Sequence, residues 1–313
     1  MGRPSFSLRP APSNPLALRN PRRTIRTMRH VDAGRPEPLM RLQGSRLARS
    51  GMRWANRWLG PLANVPISVR GHRLHPRTFD RRLAAELARW SRSTAGMLDL
   101  WRERCRPGTI ALDIGANLGL YTLEASDAVG PSGEVLAVEP APENADSIAR
   151  AVAGSGRRNI RLLRAAAVDR TGPIALGLRG DHGGDHRVLV EDDRRTMIEV
   201  EGLRLDEAID ANREVSAIKL DVQGAEGLAL AGLVETLDRS TSLSILMEFW
   251  PDGLRRLGTD PKTLIHELAT RGYVPSVFQP RSGRLESVGD ADALVEHSRR
   301  RGFTDLLFAR AKP

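Results

Sequence analysis

From about Thr109 onward the chain alternates between two hydrophobic periods. Short apolar blocks bounded by Gly, Pro, Asn or Asp, such as Ile110-Ala111-Leu112-Asp113-Ile114, are separated by longer segments with apolar residues at helical spacing. Strands alternating with helices through short connections form the pattern of a parallel sheet covered on both faces. The spacing predicts strands near 110–114, 134–139, 159–163, 217–221 and 243–249. Helices are predicted over 118–128, 141–153 (opened by Pro140 and Pro142), 261–271 and from about Ala225, with a short one at 205–209. Strand-like runs near 273–278, 284–288 and 303–309 complete the fold. Runs at 174–178, 188–190 and 197–200 break the alternation and read as an antiparallel insertion.

Upstream, alternating runs at 65–69 and 72–75 predict a small hairpin. Leu83, Leu87, Trp90, Met97, Leu100 and Trp101 then repeat at helix spacing over 78–104, and Pro107-Gly108 ends that zone. Composition changes the picture only at the amino-terminal end. The 313 residues carry a net charge of +10, yet residues 1–60 alone hold 13 arginines and two acids. The rest of the chain is therefore close to neutral. That basic Pro/Arg-rich tail lacks apolar periodicity and is expected to be disordered. The organisation read from the sequence is a tail over 1–60, a strand/helix extension over 61–108 and one α/β domain over 109–313. No apolar run suits a membrane span or a secretory signal, so a cytoplasmic protein is expected. The single cysteine, Cys105, excludes an internal disulfide and a cysteine-based zinc site.

The chemistry centres on Asp113-Ile114-Gly115-Ala116-Asn117-Leu118-Gly119, a strand end running through a glycine turn into a helix. Such a junction brings backbone N–H groups close to a small ligand. A phosphate loop would end in Gly-Lys-Ser/Thr, and a dinucleotide loop would read Gly-x-Gly-x-x-Gly. Here only Gly115 and Gly119 are present, with Asp113 and Asn117 beside them. An acid entering the turn repels a pyrophosphate and suits a cation, such as the α-amino group of a methionine moiety. The loop therefore favours S-adenosylmethionine (SAM) over NAD. Glu139, ending the next strand before Pro140, is placed to accept hydrogen bonds from both ribose hydroxyls. Asp221, at the end of the fourth strand, is expected to face the same crevice, with Lys219 on its side of the strand. Glu226 falls in the following helical turn, where the helix dipole also favours an acid.

Taken together, Asp-Ile-Gly-Ala-Asn-Leu-Gly, Val-Glu-Pro, Lys-Leu-Asp-Val-Gln-Gly-Ala-Glu and Met-Glu-Phe-Trp-Pro resemble the FkbM-type SAM-dependent methyltransferases over about residues 109–310. The resemblance implies a Rossmann-like class I methyltransferase sheet of seven strands, mostly parallel, with an antiparallel last hairpin. It also implies methylation of a hydroxyl oxygen, commonly on a sugar or secondary metabolite. One position departs: the family shows Asp-Val-Glu-Gly-x-Glu, and this chain has Gln223 at the first Glu.

An alcohol acceptor needs a base, and three places offer one. The loop 179–187 holds His182 and His186, of which His186 adjoins a strand start. Asp221 ends the fourth strand. Glu248 ends an otherwise apolar strand, where an unpaired acid is costly to bury, and Trp250 beside it is a candidate wall of the acceptor pocket. Asp181, His182, Asp185 and His186 lack a supporting His or Cys pair elsewhere, so no metal is expected. The acceptor is expected to be a small molecule or glycan. The basic tail keeps a nucleic-acid methyltransferase as the rival, although no Asn/Asp-Pro-Pro-Tyr/Phe turn follows the fourth strand. A non-catalytic SAM-binding protein is the rival from another class.

Overall fold

The computed structural model describes residues 66–76, 95–178, 187–188, 196–280, 282–288 and 290–310. The basic tail, the first part of the predicted helical zone, and the loop carrying His182 and His186 lie outside the described residues. The hairpin read at 65–75 is present as β1 (Ile67–Val69) and β2 (His72–Leu74), and α1 (Ala95–Arg104) ends the helical zone. The domain then runs β3 (Ile110–Ile114), α2 (Leu120–Val129), β4 (Glu134–Val138), α3 (Pro142–Ser155), β5 (Ile160–Leu163) and β6 (Ala165–Ala167). The insertion follows as β7 (Gly172–Leu178), β8 (Arg187–Val188) and β9 (Thr196–Leu203). A 3-10 turn (Leu205–Glu207) leads to β10 (Val215–Leu220), α4 (Glu226–Ala231), α5 (Val234–Arg239) and β11 (Ser244–Phe249). The last elements are α6 (Pro251–Arg256), α7 (Pro261–Thr270), β12 (Tyr273–Gln279), β13 (Arg284–Ser287), α8 (Ala291–Arg301) and β14 (Thr304–Arg310).

Eight strands form the main sheet in the order β13-β12-β14-β11-β10-β3-β4-β5. The run from β5 to β11 is parallel, and β14 inserts antiparallel between β11 and β12. All eight strand runs read from the sequence for this sheet are there, the run at 284–288 as the edge strand β13, one strand more than the seven that the family resemblance implies. Chain order reverses between β3 and β10, which places the crevice at their carboxyl ends. The predicted insertion is antiparallel: β7 pairs with β8 and β9, and β6 joins it in parallel to make a separate four-stranded sheet.

Alternation along β3 sorts its residues between two cores. Ile110, Leu112 and Ile114 face the larger core, together with Ile218, Met247, Phe249, Tyr273 and Phe308. Ala111 faces the other, with Ala217, Leu246, Leu307, Trp101 and Tyr121. Small alanines on that face leave room for the two large rings, which meet edge to face at 6.2 Å. Helix α2 starts at Leu120 rather than at 118 because Gly119, its N-cap, has φ +84 and cannot be part of the helix. Three elements escaped the sequence reading. β6 is three alanines with no pattern, α6 follows its strand with hardly a connection, and α8 is too polar to show a clear apolar face. Among the described residues no helix is long and apolar enough to cross a membrane.

A buried acid fastens the hairpin and α1 to α2. Glu124 is 1% exposed. It accepts hydrogen bonds from Arg70 Nε at 2.8 Å and Arg102 at 2.6 Å, with His72 Nε2 at 3.5 Å. Burial opposes its charged form, but His72, Arg102 and Arg70 outweigh it and pull its pKa from 4.5 to about 2. Because the folded value is the lower one, this stabilisation is present above about pH 4.5 and is lost as pH falls toward 2. Glu124→Gln is expected to cost about 3 kcal/mol at neutral pH, since it leaves two guanidinium groups underpaired. The gap from wild type should close at low pH, and urea denaturation at pH 7 and pH 3 measures both.

Candidate active site

The loop after β3 is shaped by left-handed backbone. Gly115, Asn117 and Gly119 have φ of +80, +52 and +84, values open to glycine and tolerated by asparagine. The N–H groups of Gly115 and Ala116 both donate to the Val138 carbonyl, at 2.9 and 3.1 Å, so the chain turns tightly over the end of β4. Asp221 N–H donates to the Ile114 carbonyl at 3.1 Å, bringing the end of β10 against the same turn. A Cβ on Gly115 would run into the Asp221 carbonyl oxygen. On Gly119 it would stand 3.3 Å from Ile148 of α3. Each glycine therefore meets two requirements, a positive φ and a close neighbour.

Two acids flank this loop from inside. Asp113 is fully buried and pairs in register with Lys219 of β10. Its Oδ2 accepts from Thr122 Oγ1 at 2.6 Å, while Oδ1 is buried without a partner among the described residues, as is Asn117 Oδ1. Burial raises the Asp113 pKa against the pull of Lys219 and Thr122. Orphaned buried acceptors are costly, and here they line the turn at which a cationic amino group would be held. Glu139 is also buried. It accepts from Asn117 N–H at 2.8 Å and Ala141 N–H at 2.9 Å, tying the loop to the start of α3. Burial pushes its pKa up to about 7, although Ala141, Asn117 and Asn144 oppose the rise.

The second constellation spans three adjacent strands, β10, β11 and β14. Lys219 Nζ reaches Asp221 Oδ2 at 3.1 Å, the pairing expected from strand alternation, and lies 4.7 Å over the Tyr121 ring. Gln223 Nε2 donates to Asp221 Oδ1 at 3.0 Å and to Glu248 Oε2 at 2.9 Å. Glu248 stands opposite Asp305 across the β11–β14 pair. Burial, with Asp221 and Asp305 nearby, raises the Glu248 pKa well above the carboxylate range. Asp305 is pushed up to about 6 by burial and by Asp221. Glu226 is buried in the first turn of α4, and its Oε1 accepts the N–H groups of Val222 and Gly224 at 3.1 and 3.2 Å. Burial lifts its pKa to about 7. Trp250, the N-cap residue of α6, is half-buried. Its ring packs over Gly253, where a Cβ would collide with it, and lies 5.3 Å from the Arg256 guanidinium.

The structure thus gathers Asp113, Gly115, Lys219, Asp221, Glu226 and Glu248 at the carboxyl ends of β3, β10 and β11, with Asn117, Gly119 and Glu139 completing the loop. His182 and His186 lie outside the described residues. Sequence reasoning missed Asp305, Tyr121 and the bridging geometry of Gln223. For Asp305 a signal existed: like Glu248, it is an acid abutting an apolar strand, Leu306-Leu307-Phe308.

A doubly wound sheet with β14 antiparallel beside β11, and an acid-flanked glycine turn after its first strand, defines a Rossmann-like SAM-dependent methyltransferase domain. The family pattern described as "Methyltransferase FkbM domain" matches residues 113–275, and the chain belongs to that family. S-adenosylmethionine is its methyl donor. No curated protein matches the chain in sequence. Similar solved structures include a SAM-dependent methyltransferase from Aquifex aeolicus, with 13% identity, 67% of this chain and 87% of that chain covered, and a TM-score of 0.38. A putative methyltransferase from Streptococcus mutans in complex with SAH has 10% identity, coverage of 69% and 96%, and a TM-score of 0.41. A putative rRNA methylase from Clostridium thermocellum has 8% identity, coverage of 71% and 97%, and a TM-score of 0.42.

The loop geometry yields a comparison between two glycines of similar φ. Gly130 (φ +69) has open space where a Cβ would sit, whereas Gly115 meets the Asp221 carbonyl. Gly130→Ala is expected to cost about 1 kcal/mol from backbone strain alone. Gly115→Ala should cost about 3 kcal/mol and abolish SAM binding, because β10 must move away. Urea denaturation and calorimetric titration with SAM read the two quantities.

Proposed function

We propose that the protein transfers the methyl group of SAM to a hydroxyl oxygen of a sugar, glycan or secondary metabolite. The observation that carries this reading is the Asp221–Gln223–Glu248 cluster, two carboxyl groups bridged by one amide beside the donor loop at the carboxyl ends of β10 and β11. An alcohol becomes a competent nucleophile when a positioned base removes its proton. In this reading Asp221 takes that proton, with Glu248, His186 or His182 as the alternative base. Lys219 fixes Asp221 through their ion pair, and Trp250 borders the acceptor.

The donor is held by Asp113 and Asn117, whose unpartnered oxygens suit an ammonium group, by the tight Gly115–Gly119 turn, which lets the backbone approach it closely, and by Glu139 at the ribose. When bound, the donor supplies an electrophilic methyl carbon on a sulfonium. The chain's contribution is to orient that carbon in line with the acceptor oxygen, and orientation alone supplies a large share of the rate.

A nucleic-acid acceptor fits less well. The Asp221-Val222-Gln223-Gly224 turn after β10 is not the Asn/Asp-Pro-Pro-Tyr/Phe turn on which amino-group methylation of bases relies. Incubating the protein with methyl-labelled SAM and either a metabolite and glycan extract or an RNA pool separates the two. Label is expected in the former, and label in RNA alone overturns the reading. Glu139→Ala should weaken SAM affinity about tenfold or more while leaving the fold intact. Asp221→Asn should lower turnover by about 10²–10⁴, the usual size of general-base catalysis, with SAM affinity unchanged; equal loss of both would remove Asp221 as the base.

A further inference from the structure

Gln223 combines two features that are rarely found together. Its φ of +56 lies in the left-handed region, which long L side chains seldom adopt outside functional turns. Its side-chain amide nitrogen also serves two carboxylates, at the ends of different strands. The turn around it has no slack. Glu226 holds Val222 N–H and Gly224 N–H on one oxygen. A Cβ on Gly224 would approach the Gly253 backbone to 2.8 Å, and Gly115 packs against the Asp221 carbonyl from the other side. The backbone at 223 is therefore held in its strained conformation by contacts on three elements, and that conformation aims the amide between Asp221 and Glu248.

An amide NH₂ has two hydrogens and no charge. With one hydrogen directed to each carboxylate, both side chains are fixed in rotamer, and Asp221 Oδ2 is left for Lys219. We infer that Gln223 is a positioning residue: its neutral amide clamps Asp221 and Glu248 into one rigid acceptor pair and spares the cluster the extra proton that a glutamate at 223 would bring. The clamp itself is a matter of geometry, and its bearing on catalysis rests on the proposed role of Asp221. The charged and titratable groups facing the pair are Lys219 on β10, Asp113 on β3, Tyr121 on α2, Glu226 on α4 and Asp305 on β14. One cation already serves several acids there. A further carboxylate would have no cation of its own and would enter the cluster protonated.

The test is a carboxyl titration by carbon-13 NMR on the full chain saturated with S-adenosylhomocysteine, which needs no knowledge of the acceptor. In Gln223→Glu the Glu248 midpoint is expected to rise by one pH unit or more, equivalent to a tenfold change in its proton affinity. Gln223→Gly relieves the positive φ and removes the clamp. It should fold with a thermal midpoint no lower than wild type, while the Glu248 midpoint again moves upward for want of its hydrogen-bond donor. A Glu248 titration that is the same in wild type and both variants overturns the inference. So does a Gln223→Gly protein whose thermal midpoint falls, because the residue would then be holding the fold together rather than being held by it. Failure of the base assignment reads out separately: if methyl transfer is insensitive to Asp221→Asn, that assignment falls, while a moved Glu248 midpoint still supports the clamp.

Discussion

The contact between a glycine without a side chain and a backbone carbonyl holds the crevice together. At Gly115 the turn leaving β3 lies directly against the Asp221 carbonyl at the end of β10, and these two strands flank the point where chain order reverses. Asp113 and Asp221 take their positions from this approach. Asp113 precedes the turn by two residues, Asp221 is the residue touched, and Gln223 is carried by the turn that follows. Glu139 closes the loop from β4 through Asn117. A side chain at Gly115 would separate the donor half of the crevice from the half carrying the proton acceptors.

The electrostatics follow from that compression. Several carboxyl groups share a small volume with one ammonium group, and burial raises the proton affinity of most of them. In water such a group of acids would simply ionise and separate. Here the strands hold them together, and burial with like-charged neighbours favours their protonated forms. The Glu124 network on the far side of α2 shows the opposite solution. Two arginines and a histidine surround one acid, and its proton is given up readily.

Much of this architecture was legible because strands buried on both sides read as unbroken apolar blocks. Ile110–Ile114 and Leu243–Phe249 are examples, and the acids at their ends were conspicuous for that reason. The glycine loop was legible because its spacing excluded other nucleotide loops. What escaped depends on partners distant in sequence. Asp305 acquires meaning only when β14 inserts beside β11, a pairing that no local pattern announces. Gln223 looked like the loss of a charge, and only the positive φ and the two distances show where its amide points. Three alanines at 165–167 carry too little apolar periodicity to mark a strand, although the parallel partner Glu201–Leu203 makes them one.

The position of β14 has a consequence for how the chain reaches this state. It is the last described strand in sequence, yet it lies between β11 and β12 and bonds to both. During synthesis β11 and β12 are therefore complete before the strand that joins them exists. Each presents an open row of backbone donors and acceptors, the kind of edge that pairs with a second copy when left uncovered. The crevice likewise waits for Asp305. A nascent or truncated chain lacking β14 has the donor loop and its acids already encoded, but it has two sticky edges and an unfinished acid cluster. Closing the sheet and finishing the site are then a single late event in the life of the polypeptide.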